Sequence, residues 1–272
     1  MPMPSDSSNA LASPPSTARA NLPTVIAAAV LAYAASSIAH ELIGHGTGCL
    51  LTGVKPILLS SIILQSAGGN RIVDGGGPIA NIVFGGGAFY LFLRRAEFTA
   101  FSYFLWLFAA FNLLVAAGYL FWSGVMNVGD WAFVIKGLHP AQAWRTGIAI
   151  TGALAYVAVV RWLARSMIKL VKEGKIGRGD VPRLIFPAYF ASGALAVASA
   201  ALNPISSRLI WTNGFSGSFL AFLGLLRVPS LVGQRTVEGS GGQPIPFSRA
   251  WVILGVVVAI VFIVVLGPGI RL

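Results

Sequence analysis

An all-α polytopic membrane protein, with about seven transmembrane helices and a small β-hairpin between the first and second, is the fold class this 272-residue sequence predicts. Three observations carry that expectation. Hydrophobic residues make up 56% of the chain and charged residues 10%, with a mean hydropathy of +0.79, so lipid is the expected solvent for most of the surface. Uncharged runs recur at the length of about 20 residues that the hydrocarbon core of a bilayer requires. The basic residues behind the net charge of +11 fall between those runs, where topology determinants and headgroup contacts are expected; they do not form the interleaved patch of a nucleic-acid binder. The expected partners are therefore the lipid bilayer and a transmembrane or membrane-associated protein, with no nucleic acid.

Residues 1–22 are rich in Pro, Ser and Ala and read as a disordered tail. The tail lacks a basic segment followed by a short apolar one, so no cleavable signal peptide is expected. The expected location is a multi-pass position in a membrane, with a bacterial cytoplasmic membrane as the setting. The first helix spans 24–52. Residues 55–75 change character: Lys55-Pro56, a β-prone run over 57–64, a turn at Gly68-Gly69-Asn70, then Arg71–Val73. This predicts a hairpin across 57–73, and such backbone near a membrane must be covered by protein or line a wet cavity. Further helices are predicted over about 76–93, 98–124, 146–168, 184–203, 209–226 and 250–268, with a flexible loop over 229–248. The basic residues from Arg165 to Arg183 place the connection between the fourth and fifth helices in the cytoplasm, and with seven spans the N-terminus as well.

The chemistry is concentrated in His40-Glu41-Leu42-Ile43-Gly44-His45, inside the first apolar run. Intramembrane ionisable groups are costly and mark functional sites by default. Two histidines four residues apart on a helix share a face and hold Zn²⁺, with the intervening Glu as general base. Here the step is five residues, which in a regular helix leaves the two imidazoles about 140° apart. A π-bulge has wider turns and returns positions five apart to one side. Gly44, between them, would ease that distortion, placed about Gly44-His45-Gly46.

The hexapeptide resembles the H-E-L-L-G-H motif of the dipeptidyl peptidase III family, soluble zinc peptidases with this longer spacing. A wider resemblance covers about half the chain. His40-Glu41 in a first core helix, a short hairpin, then Gly77-Pro78-Ile79-Ala80-Asn81 opening the next helix is similar to the site-2 protease (M50) family of intramembrane metalloproteases. That resemblance implies a catalytic core over 23–140 followed by additional helices over 141–272. It implies Zn²⁺ held by His40, His45 and a later Asp, best matched by Asp130 in Asn127-Val128-Gly129-Asp130-Trp131, with Glu41 as catalytic base. It further implies Asn81 in substrate binding, Pro78 in the helix-opening element, and zinc nearer the cytosolic face. Two departures stand: the extra residue in the motif, and no Pro ahead of Asp130. Asp74 and Cys49 are the alternative third ligands.

Plainer readings exist for each residue. Glu41 and His45 are helical neighbours that could bond each other as a packing network. Asp130 could be a solvated loop carboxylate, and Asn81 a helix-packing amide. Cys49 reads as a small buried hydrophobe. A non-catalytic membrane scaffold or metal-handling protein that keeps the protease-like fold is the alternative function.

Overall fold

The chain's first helix, α1 (Leu22–Thr52), is 31 residues long and uninterrupted. Asn21 caps it, its side chain accepting from Thr24 N, and the left-handed Gly53 (φ 71°) ends it. The computed structural model describes residues 19–235, 242 and 245–272. The tail predicted over 1–22 lies outside the described residues up to 18. Its last residues are pinned: Ala20 is buried, its carbonyl accepts from Arg183 Nε at 2.7 Å, and Asn21 N donates to Ile245 O.

After α1 come strands β1 (Pro56–Leu59) and β2 (Leu64–Ser66), then helices α2 (Arg71–Leu93), α3 (Ala100–Met126), the short α4 (Asp130–Val134), α5 (Ala141–Lys172) and α6 (Asp180–Ala200). The next helical segment, α7 (Ile210–Gly233), is π-helical over Ile210–Leu220, 3₁₀ over Leu223–Arg227 and α over Val228–Gly233. The chain closes with α8 (Arg249–Val264) and strand β3 (Ile270–Arg271). Among the described residues, six helices (α1, α2, α3, α5, α6 and α7) are long and apolar enough to cross a membrane. The predicted seventh, over 250–268, forms as α8 with 16 residues, short of the usual spanning length. Part of the loop predicted over 229–248 is instead the end of α7; residues 236–241, 243 and 244 lie outside the described residues.

The hairpin differs from its prediction in two ways. It turns at Ser60–Ile63, where Ser60 N and Oγ both donate to Ile63 O at 3.0 Å, and the Gly68–Asn70 stretch serves a different purpose. There Asn70 caps α2 by accepting from the amides of Ile72 and Val73, so Arg71–Val73 are helical, and α2 begins five residues before the predicted start at 76. The hairpin is also one side of a three-stranded antiparallel sheet ordered β2-β1-β3, with Leu58 opposite Arg271 and Leu59 opposite Ile270.

The core lies where α1 meets α3, α7 and α8. The Tyr33 ring packs edge-on against Phe111, Phe222 and Phe262, with centroids 5.8–6.3 Å away. Two of its large polar side chains find partners: Tyr103 OH donates to Leu184 O and Trp106 Nε1 to Ser166 Oγ. Glycines bring helices to backbone distance. A Cβ on Gly124 would lie 2.6 Å from Arg145 O, and one on Gly255 2.7 Å from Ala27 Cβ. Residues from 141 onward thus pack against the 23–140 segment along its length.

Candidate metal centre

Over Ala39–His45, α1 is π-helical. The widened turns begin before His40 and end at His45, a longer distortion than a bulge around Gly44–Gly46. They bring the two imidazoles together despite the five-residue step, with ring centroids 4.9 Å apart and Nε2 atoms 3.3 Å apart. Gly44 is not in the left-handed region that favours glycine. What requires glycine there is α2, since a Cβ would stand 2.6 Å from Gly76 O and from Gly77 Cα. Gly77 is needed for the same reason on the other side: its Cβ would lie 2.5 Å from His45 Nε2 and 2.7 Å from His40 Nε2.

Both rings are oriented by their other nitrogen. His45 Nδ1 lies 2.7 Å from Val73 O, and His40 Nδ1 lies 3.2 Å from Asn81 Oδ1. A carbonyl oxygen only accepts, so each Nδ1 carries a proton toward its partner, and Nε2 is the nitrogen each ring presents to the other ring and to a metal. This is the outer-shell arrangement that fixes histidine ligands.

The third group arrives from α4. Asn127 ends α3 in the left-handed region (φ 55°) with its amide donating to Ser123 O, and Gly129 (φ 83°) lets the chain re-enter a helix at Asp130. Asp130 Oδ2 stands 3.2 Å from His40 Nε2 and 3.6 Å from His45 Nε2, buried and aligned for a hydrogen bond with neither.

Three acceptor atoms therefore converge in a triangle with edges of 3.2, 3.3 and 3.6 Å. Tetrahedral zinc with nitrogen and oxygen ligands at about 2.0–2.2 Å places those ligands about 3.3–3.6 Å apart. The donor set and its dimensions fit a zinc ion. Glu41 contributes a carboxylate oxygen within 4.8 Å of the histidine nitrogens. Its Oε2 accepts from Leu64 N of β2 at 2.7 Å, which leaves its other oxygen for chemistry. Of these groups His40 and Glu41 border a cavity of about 60 Å³ shared with Tyr33, Ser36, Tyr119, Asn213 and Gly217, room for small reacting groups.

No family model, curated protein or solved structure matches the chain.

The other predicted positions fall as follows. Asp74 faces a separate opening with Arg71 and Lys136 and makes no hydrogen bond or ion pair with the triangle. Cys49 packs against Leu64 and Val73. Pro78 lies inside α2, where its missing N–H cannot bond the Asp74 carbonyl. Asn127 is the left-handed cap that aims Asp130. Asn81 is buried with its Oδ1 on His40, and its Nδ2 has no protein partner.

Three contributors carried no signal in the sequence. The Val73 carbonyl and the Leu64 amide are backbone groups that any residue supplies. Tyr119, whose ring centre lies 6.0 Å from that of His40, looks like an ordinary core aromatic in an apolar run.

Proposed function

We propose that this chain is a zinc-dependent intramembrane hydrolase of the site-2 protease kind, cutting a peptide bond of a membrane-embedded protein substrate. The observation that carries the proposal is the triangle of His40 Nε2, His45 Nε2 and Asp130 Oδ2, three potential ligand atoms at the spacing of one tetrahedral face. Zinc, when bound there, supplies a Lewis acid for the scissile carbonyl and lowers the pKa of its water to near neutrality.

The chain's own residues do the rest. Glu41, held by the Leu64 amide, takes a proton from the attacking water on its free oxygen. It returns that proton to the leaving nitrogen as the C–N bond breaks, so the water oxygen ends on the new carboxylate. Asn81 and the Val73 carbonyl keep both imidazoles in the metal-binding tautomer. The buried surroundings keep bulk water out, which strengthens each electrostatic contact.

A seventh crossing by α8 is part of the proposal. Its start is tied to the start of α1, where Ser248 N donates to Thr24 Oγ1, and the strand after it joins β1, where Leu272 N donates to Ile57 O. A run from one end of the molecule to the other is what a span requires. The end bearing the start of α1 collects Arg19, Arg94, Arg95, Arg183, Arg227 and the basic run from Lys169 to Arg178, against Lys55, Arg71, Lys136, Arg145, Arg208 and Arg271 at the end with the sheet. That bias assigns the basic end to the cytoplasm and the metal centre to the half of the membrane away from it, opposite to what the family resemblance implies.

One distance favours a second reading. The 3.2 Å between His40 and Asp130 is also an ion-pair distance, so a proton in place of a metal would make the triad a clasp joining α1 and α4 in a scaffold. The test is Glu41→Gln in the membrane-reconstituted protein with a membrane-protein substrate. The hydrolase reading expects cleavage to fall about 100-fold or more with bound zinc unchanged. Cleavage at the wild-type rate would contradict it.

A further inference from the structure

Next to the metal centre lies a larger cavity of about 470 Å³ between α3, α5 and α7, bordered by Gly118, Phe121, Trp122, Ala153, Val157 and Leu220. We infer that this cavity holds an acyl chain of the substrate, so that the bond hydrolysed is an amide in an acylated, lipid-modified molecule. The inference rests on the hydrolase reading above and names its substrate class.

Four observations support it. First, the wall offers few hydrogen bonds, the Tyr119 hydroxyl and the Trp122 indole N–H being its side-chain donors without a protein partner among the described residues. Tyr156 OH donates to Ala221 O and accepts from Gly224 N, both at 2.8 Å, and Ser216 Oγ donates to Thr212 O. An occupant with many free amide groups would leave most of them unpaired, whereas a hydrocarbon has none to lose.

Second, the size selects among apolar occupants. The volume is about three times the ~150 Å³ that accommodates benzene, more than one aromatic side chain fills. A spanning helix, about 10 Å across and 30 Å long, is several times too large. An alkyl chain fits between these limits.

Third, the cavity opens sideways, toward where bilayer chains lie: Phe121, Val157, Leu220 and Leu223 are each exposed by 40–47%.

Fourth, the cavity adjoins the metal centre. Tyr119 belongs to the walls of both spaces, and on α7 the consecutive residues Ser216 and Gly217 face the large cavity and the small one respectively. A Cβ on Gly217 would meet nothing within 4 Å, so the partition at this point is one aromatic ring and a bare stretch of backbone. A chain lying in the large cavity brings its carbonyl end to Tyr119, beside His40 and Glu41.

The experiment uses the full chain in detergent with two probes. One is a dodecanoyl amide of a short peptide carrying a diazirine on the alkyl chain, photolysed on the Glu41→Gln protein and mapped by mass spectrometry. The other is the same peptide with dodecanoyl or acetyl on its N-terminus, followed for hydrolysis by the wild type. The inference expects labels on α3, α5 and α7 at the cavity, suppressed tenfold or more by Val157→Trp and, independently, by Ala153→Phe. It expects kcat/KM for the dodecanoyl peptide to exceed that for the acetyl peptide at least tenfold, and to fall to the acetyl value in both variants while bound zinc stays constant.

Labels that map elsewhere, or that both variants leave intact, overturn the acyl site, as do equal rates for the two peptides. A peptide with large apolar side chains that displaces the label while excess dodecanoyl amide does not would assign the cavity to side chains and also overturn it. Labelling at the cavity with no hydrolysis of either peptide would count against the hydrolase reading and leave the acyl site in place.

Discussion

Among the described residues there are two π-helical stretches, and they face each other across the same small cavity. Ala39–His45 in α1 carries His40, Glu41 and His45; Ile210–Leu220 in α7 carries no ionisable residue and reaches the cavity through Asn213 and Gly217. The first is locked. Gly44 lies against Gly76 and Gly77 at backbone distance, and each imidazole is tied by its second nitrogen. The second is held at its flanks: Asn213 Nδ2 donates to Ile62 O, a Cβ on Gly193 would run into the Phe219 ring, and Gly217 touches nothing on its open side. Widened backbone turns are common to both. What separates a candidate metal centre from a cavity wall is a facing helix that leaves the side chains one place to go.

That comparison can be broken from either side. The largest effect is expected for Gly76→Ala, whose Cβ would overlap the Gly44 carbonyl. Overpacking two backbones at this crossing should cost about 3 kcal/mol, read as a lower unfolding temperature in detergent together with loss of bound zinc. A Gly76→Ala protein as stable as the wild type would show that the first π stretch is not locked by α2.

Asn81→Ala sharpens the same side. Losing the partner of His40 Nδ1 should weaken zinc about 10- to 100-fold, measured by competition with a chelator, with helix content unchanged. Unaltered affinity would mean that the Asn81 contact does not orient the ring.

On the other stretch, Tyr156→Phe removes two hydrogen bonds from the region where the α7 π-helix ends. It should cost about 1–2 kcal/mol and leave zinc untouched. The smallest effect belongs to Gly217→Ala, which meets open space and should stay within about 0.5 kcal/mol. A Gly217→Ala variant as damaging as Gly76→Ala would abolish the distinction between the two stretches.

The sequence was most informative where the physics is local or repetitive. The apolar runs announce the six long helices, because length and hydropathy decide what crosses a bilayer. The hexapeptide over 40–45 announces a site, because charged groups at that depth are costly. It also announces the geometric problem, since five-residue spacing cannot converge on a regular helix, and the π-helical turns are the backbone's answer.

Other features depend on contacts distant in the chain. The turn at Ser60–Ile63 lost out in the sequence to the more conspicuous Gly68-Gly69-Asn70, which turned out to cap α2. Strand β3 is two residues long and exists only because β1 offers it an edge. The Val73 carbonyl and Leu64 amide carry no residue signature. The need for Gly44 and Gly77 comes from the neighbouring helix, so the sequence suggests conformational freedom where the structure shows close approach. The 470 Å³ cavity arises from three helices that fail to close on one another, which no single segment encodes.

The most direct test of the account is the metal content of the purified, zinc-supplied protein, compared with His45→Ala, Asp130→Ala and, as a control, Asp74→Asn. The convergence of three acceptor atoms predicts close to one zinc per chain in the wild type and in Asp74→Asn, and its loss in His45→Ala and Asp130→Ala. A well-folded wild type that takes up no zinc, or an Asp130→Ala protein that holds it as tightly as the wild type, would contradict the account.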